Sequence, residues 1–520
     1  MRKTRIAALL IVGLAVASLY RWTSAQTSPE MTIVVAAAEA LGGRDRLLAL
    51  KSVRIEGYGQ LASQLGGGNI TSDPDAPQKL INVVDFERTI DLEHGRSRVR
   101  QRNVTGFVFA RVGNYGRTRQ NQVVDGAVAF NIGADGKATR VSDAIARVRR
   151  MEMRAHPIVI IRTALTAGTM LSNLHVVGGA QVIDMTTQEG DRLSFAVNRI
   201  TSLPEWVSWV ARDENLGDVT YRMSFFGYDK VDRVLLPMGF STTIDWRNIK
   251  LQTLMVDRHS IDVPIDDMTA PADVRAAAPP VARPVATATV LAPGVWFITG
   301  GSHNSVVFEF ADHLTVFEAG QSNAWAKAAI DVARTLSSKP LTEVIVSHHH
   351  FDHTGGLRTA IAEGLTVITH RGNEGIIREM AERKSTVEPD YLSRDPKPLK
   401  IRLMDDRLTL KDDTQEVQLI RVVNNNHMVH AIAAYVPRDG LLVQADMFVL
   451  DWDYQWWGAG YMATVKEYNL KVTRDVPIHG VVVPFSEIAS NIEKQYRSAQ
   501  ALCDEGFKAG FPVEGCPAKP

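Results

Sequence analysis

Four residues within six positions bring metal chemistry into this chain: His348, His350, Asp352 and His353, in the run SHHHFDHTGG from Ser347 to Gly356. Imidazole nitrogens and carboxylate oxygens are donors that Zn²⁺ prefers. Three imidazoles and a carboxylate this close together rarely serve packing. On an extended backbone His348 and His350 point to one side and can clasp one ion. Asp352 and His353 lie past the bend and can turn towards a second. Two ions about 3.5–4 Å apart can share a hydroxide, hold a substrate carbonyl oxygen and stabilise a leaving group. The elements that would position these donors are legible too. EVIVS, Glu343 to Ser347, predicts a short buried strand. Gly355 and Gly356 permit a tight turn into a helical segment over Leu357 to Glu363. The donors then sit on a loop at a strand end, where functional residues gather.

HHHFDH matches the H-x-H-x-D-H signature of the metallo-β-lactamase superfamily, and the order of segments from about Ala292 to Phe485 resembles that family. GVWFITGGSHNSVVFEFADHLTVFEAG, Gly294 to Gly320, is similar to its opening β-hairpins, with Glu318 where most members carry Asp. NNNHMVHAIAAYVP, Asn424 to Pro437, resembles the third-histidine segment. Its usual spacing to aromatic-x-Pro implies His427 as the ligand and His430 beside it, with exchanged roles as the alternative. Asn426 replaces the usual Gly and can also adopt a left-handed conformation. LLVQAD resembles the strand ending in the bridging acid, Asp446. DVPIHG resembles the last ligand segment, with Ile478 for the usual Gly and His479 as ligand. The resemblance thus implies His348, His350 and His427 on one zinc ion, Asp352, His353 and His479 on a second, and Asp446 between them, two Zn²⁺ per chain.

That set implies hydrolysis of an activated carbonyl (lactam, lactone, ester or thioester) by metal-bound hydroxide, with Asp352 as catalytic proton carrier. The bridging residue is Asp446 rather than Cys, and Val449 stands where one lactamase branch has Lys, which excludes that branch. A mononuclear-iron sulfur dioxygenase of the same superfamily is the alternative reading. Directly after Asp446, FVLDWDYQWWGAGY carries six aromatics in Phe448 to Tyr461. Trp452, Trp456 and Trp457 are expected to wall the pocket for an apolar substrate group; packing against another part of the protein is the other use of such a run.

The chain has 520 residues, enough for two or three domains, and equal numbers of basic and acidic residues, 58 each, which gives no support to a nucleic-acid partner. Arg2, Lys3 and Arg5, then the apolar run Ala7 to Tyr20 and the small residues before Gln26, read as a Sec-type signal peptide over residues 1–25. A periplasmic or secreted protein is therefore expected. The two cysteines, Cys503 and Cys516, can pair in an oxidising compartment.

Residues 27–263 predict a different domain. Apolar positions Ile33, Val34, Ala37, Ala38 and Leu41 recur at helical spacing, interrupted at Gly42 and Gly43. From Lys51 onward, short alternating runs such as SVRIEGYGQ and DVTYRMSFFGY are separated by Gly, Asn and Asp turns, an antiparallel β-rich texture. Ser142 to Met170 reads as helical with a break at Pro157. ALGGRDRLLALKSVRIEG and FGYDKVDRVLLPMGF resemble periplasmic lipoprotein-carrier-type domains, which implies a curved sheet around helices and a cavity for a lipid or other hydrophobic ligand. Pro264 to Val290 is Pro- and Ala-rich and predicts a semi-extended linker. Residues 291–520 alternate strand and helix: an α/β domain by pattern, an αββα metallo-β-lactamase-like sandwich by resemblance. Small-molecule substrate is the expected partner.

Overall fold

The structure, a computed structural model, describes residues 28–62, 78–105, 119–450, 452, 455 and 457–510. Residues 1–25, read above as a signal peptide, Trp456 and Cys516 lie outside the described residues. No helix among the described residues is long and apolar enough to cross a membrane.

The N-terminal helix, Pro29–Leu41, begins where the Ser28 hydroxyl accepts from the Met31 N–H at 3.2 Å with Pro29 in the first turn. It stops at Gly42, whose φ of 137° excludes a side chain and whose Cβ position lies 2.5 Å from the Arg233 carbonyl oxygen. The β-rich texture becomes one antiparallel sheet of thirteen strands among the described residues. Six strands, from Ser52–Ala62 to Ala138–Arg140, run out to one edge, and seven, from Met170–Val177 to Lys250–Ile261, return from the other. The first and last pair at the centre, Val53 opposite Ile261. Two helices, Asp143–Arg154 and Pro157–Leu165, join the halves, so Pro157 starts a second helix rather than kinking one.

The sheet wraps these helices. Val34, Leu41, Leu47, Ile158, Ile161, Phe195 and Trp209 fill its concave side. Among the described residues this side is filled by the domain's own side chains. A pocket at the rim, of about 440 Å³, is lined by charged groups including Asp91, Arg150, Arg154, Arg162 and Glu189. The segment read as a linker is partly docked. Met268, Ala270 and Val274 are buried against Val123, Val128 and Phe130 because the sheet edge leaves those residues uncovered. Strand Thr287–Ala292 already pairs with Val295–Thr299.

The C-terminal domain is an αββα sandwich. Among the described residues its first sheet has seven strands, antiparallel from Thr287–Ala292 to Leu314–Phe317 and then parallel through Leu341–Ile345, Thr366–His370 and Lys400–Met404. The second has six, from Arg407–Lys411 to Val483–Pro484. Phe308, Ile345, Ile368, Leu419, Val443 and Val476 are buried between them. Strands covered on both faces read as unbroken apolar runs, which is why EVIVS does not alternate. Helix Asn323–Ala333, capped by the Ser322 hydroxyl, covers the outer face of the first sheet. Helices Ala459–Glu467 and Phe485–Lys508 cover the second. Cys503, near the end of the last helix, is disulfide-bonded.

The domains share a core. Leu216, Val219, Ile244, Trp246 and Ile249 of the N-terminal sheet lie in the same apolar cluster as Trp325, Leu357 and Ile361. The hairpin tip at Asp213–Asp218 carries the polar part of the contact: Arg383 donates to the Leu216 carbonyl at 2.7 Å, and the Asp218 N–H donates to the Lys384 carbonyl at 2.6 Å.

Candidate metal centre

Strand Leu341–Ile345 runs parallel between two neighbours and ends at the loop Ser347–His350, followed by the single-turn helix Phe351–Thr354. The Ser347 carbonyl accepts from the Ile432 N–H at 2.9 Å, which ties this loop to the second sheet. Gly355 and Gly356 are needed for close approach rather than for a left-handed turn. Their φ values are −59° and −100°, but a Cβ on Gly356 would lie 1.9 Å from the Ala319 carbonyl oxygen.

The other six predicted donors gather around Asp446. Its Oδ2 lies 3.0 Å from His427 Nε2, 3.2 Å from His353 Nε2 and 3.7 Å from His348 Nε2. Its Oδ1 lies 3.1 Å from His479 Nε2. Asp352 Oδ2 stands 3.7 Å from His353 Nε2 and 3.9 Å from His479 Nε2. His350 joins His348 and Asp446 in one group whose donor atoms all lie within 4.8 Å of one another. All seven residues are at least nine-tenths buried except His479, which is partly buried. Asp446 holds this position in the left-handed region, φ 56°, directly after strand Leu441–Gln444, a strained conformation for a non-glycine residue.

His427 lies in the cluster and His430 outside it. The Asn425 side chain accepts from the His427 and Met428 N–H groups at 2.8 and 3.2 Å, a local turn that aims His427 inward. His430 instead stacks on His370, ring centroids 4.8 Å apart. Asn426 does not use the left-handed conformation open to it; Asn424 does, at φ 52°, so the chain turns two residues earlier.

Supporting contacts fix the rings. Glu318, itself at φ 63°, accepts from His353 Nδ1 at 2.7 Å and from the Ser347 hydroxyl. Ser347 Oγ is 2.8 Å from His348 Nδ1. Trp457 was expected on the pocket wall. Its indole is instead buried, stacks on His427 with centroids 4.6 Å apart and donates from Nε1 to the Asp446 carbonyl at 3.0 Å. The excess of aromatic residues here thus includes packing beneath the donors. Trp452 is half-buried, with its ring centroid 5.6 Å from that of His479.

Burial keeps His348 and His350 neutral, well below the ordinary histidine range, aided by neighbouring imidazoles; neutral imidazole is the form that binds a metal. Burial would also lower His353 and raise Asp446. The carboxylates of Glu318, Asp446 and Asp352 overcome it at His353, which is raised, and His353 and His479 overcome it at Asp446, which is lowered. His348 Nε2 and His350 Nδ1 are buried without a hydrogen-bond partner. Orphaned lone pairs of neutral imidazoles around a carboxylate are the donor set a divalent transition metal satisfies, so the residues fit a metal.

Three residues at the site were not singled out from sequence. His303, at the end of a hairpin, has its Nε2 3.4 Å from Asp352 Oδ2, and burial lowers its pKa. Lys79, from the N-terminal domain, is buried; burial lowers its ammonium to about 8, opposed by the charges of Asp352 and Asp446. Asn215 Nδ2, also from that domain, donates to the Phe351 carbonyl and to Thr354 Oγ1, both at 2.8 Å. His303 sits in GGSHNS, where flanking glycines and a following asparagine are the only signal. Nothing in the sequence around Lys79 or Asn215 points across domains.

Residues 298–442 match the family described as the metallo-beta-lactamase superfamily. Together with the histidine–aspartate cluster, that match makes the C-terminal part a metallo-beta-lactamase superfamily domain and the protein a metal-dependent hydrolase. No curated protein matches the chain. Among solved structures, the chain is similar to a metallo-beta-lactamase from Pontibacter korlensis (14% identity, 40% of this chain and 98% of that one, TM-score 0.32). It is also similar to a metallo-beta-lactamase from Hirschia baltica (15%, 41% and 98%, TM-score 0.32). A third is the metallo-beta-lactamase FIM-1 from Pseudomonas aeruginosa in its mono-zinc form (14%, 41% and 96%, TM-score 0.32).

Proposed function

We propose that this protein is an exported dinuclear zinc hydrolase that cleaves an activated carbonyl: a lactam, lactone, ester or thioester. The observation that carries the reading is Asp446, whose Oδ2 faces His348, His353 and His427 while Oδ1 faces His479. One carboxylate between two groups of donors is the arrangement two ions need. His348, His350 and His427 would hold one, and Asp352, His353 and His479 the other. Bound zinc lowers the pKa of water towards about 7 and polarises a carbonyl oxygen.

The chain's own residues then divide the remaining work. Glu318 and Ser347 hold the His353 and His348 rings through their Nδ1 atoms, leaving each Nε2 free to face Asp446. Asp352 Oδ2, among three imidazoles, is placed to receive and pass on a proton as the leaving group departs. Trp452 beside His479 offers an apolar face to a substrate. Export follows from the charged and apolar character of residues 1–25.

The test is a screen of purified protein against lactam, lactone, ester and thioester substrates, with metal content measured in parallel and Asp352→Ala as control. Two zinc ions per chain and a carbonyl hydrolysis lost in Asp352→Ala are expected. One iron per chain with sulfur-dioxygenase activity would replace the reading.

A further inference from the structure

The second donor group has a member beyond the predicted residues. His303, Asp352, His353 and His479 each present one donor atom, and the four atoms lie within 4.8 Å of one another. The His303 ring centroid is 4.1 Å from that of His479 and 5.3 Å from that of His353. His303 is 6% exposed, and its Nε2 is buried without a hydrogen-bond partner. The nearest candidate, Asp352 Oδ2 at 3.4 Å, is beyond good N–H···O range.

The other ring nitrogen is held. His303 Nδ1 lies 2.9 Å from Ser302 Oγ. With the proton on Nδ1 donated to that hydroxyl, Nε2 turns a bare lone pair towards Asp352 and His479. A ligating histidine is oriented in this way, by a hydrogen bond from its second nitrogen. The backbone is pinned as well. The Asn304 N–H donates to the Ile478 carbonyl at 2.8 Å, and Asn304 Nδ2 donates to the carbonyls of Pro477 and Gly480 at 3.1 and 2.9 Å. Asn304 therefore clamps the turn that carries His303 onto the turn that carries His479.

We propose that His303 is a further protein ligand of the second metal, beside Asp352, His353, His479 and the bridging Asp446. This rests on the dinuclear reading above. With the bridging Asp446 the second ion then has five protein donors and the ion at His348, His350 and His427 has four, which leaves the latter as the more open side. A histidine that merely packs against Asp352 has no such consequence.

Zinc titration against a chromophoric chelator separates the cases. In the parent protein two equivalents bind. In His303→Ala and in the bulkier His303→Gln, the second equivalent is expected to weaken at least tenfold while the first is unchanged, and the cobalt(II)-substituted protein should change its visible absorption. Tight binding of both equivalents with the parent's cobalt spectrum in either variant overturns the proposal. A crystal structure of the zinc-loaded parent decides it without any variant: His303 Nε2 about 2.0–2.1 Å from the second ion supports it, and a nitrogen out of bonding range overturns it. A parent protein that binds no second metal removes the dinuclear reading itself, a separate outcome from two bound ions that ignore His303.

Discussion

Asn215 Nδ2, at a hairpin tip of the N-terminal sheet, donates to the Phe351 carbonyl oxygen at 2.8 Å, and the next residue in the chain is the metal-site residue Asp352. The same amide donates to Thr354 Oγ1 at 2.8 Å. One buried side chain of the first domain thus holds both ends of the single-turn helix that bears Asp352 and His353. The Trp246 ring rests on Phe351 with centroids 5.1 Å apart.

Asn215→Ala would leave the Thr354 hydroxyl and the Phe351 carbonyl with fewer partners, at a cost of about 1–3 kcal/mol. The expected result is a lower Tm and weaker zinc binding, with the loss concentrated on the second equivalent. Calorimetry and metal titration measure it. An unchanged zinc affinity would show that the N-terminal domain does not shape the site.

His427→Ala and His430→Ala should behave differently despite lying three positions apart. His427 Nε2 is 3.0 Å from Asp446 Oδ2, whereas His430 stacks on His370. Elemental analysis should find the first equivalent of zinc lost in His427→Ala and retained in His430→Ala. Similar metal loss in both would contradict the placement.

Trp457→Phe keeps an aromatic ring over His427 but removes the indole donor to the Asp446 carbonyl. A buried carbonyl without that bond costs about 1–3 kcal/mol, so zinc affinity is expected to fall about ten- to hundredfold. Because the side chain is buried, selectivity between long- and short-chain substrates should not change. A shift in selectivity with metal binding intact would return Trp457 to the substrate wall.

Asp475 makes stability depend on pH. Burial pushes its carboxyl up to about 7, against hydrogen bonds from Tyr461 at 2.8 Å and Gln444 at 3.3 Å that lower it. An unfolded aspartate titrates near about 3.9. Between those values the folded protein keeps a proton that the unfolded chain has released. The group's stabilisation is therefore full below about pH 4 and is lost as pH rises through about 7, on the order of 4 kcal/mol in all. Asp475→Asn carries no charge at any pH. Its Tm should fall less between about pH 5 and 8 than the parent's, and equal falls would rule out this assignment.

What the sequence determined by itself is local. HHHFDHTGG contains its own strand end, turn and donors, so four candidate donors could be read from spacing, and the apolar run before them read as a buried strand. Segments up to His479 were legible because a pattern of short motifs recurs in a fixed order, even where Gly gives way to Asn426 or Ile478. The tertiary structure decided what depends on approach from distant parts of the chain. His303 meets His479 only because Asn304 bonds to the turn around Ile478. Lys79 and Asn215 reach the site only because a thirteen-stranded sheet packs its hairpins against another domain. Trp457 reads as a pocket wall until the ring is seen stacked beneath His427. Such contacts are set by packing between elements far apart in sequence, and packing leaves no periodicity in either partner that names the other.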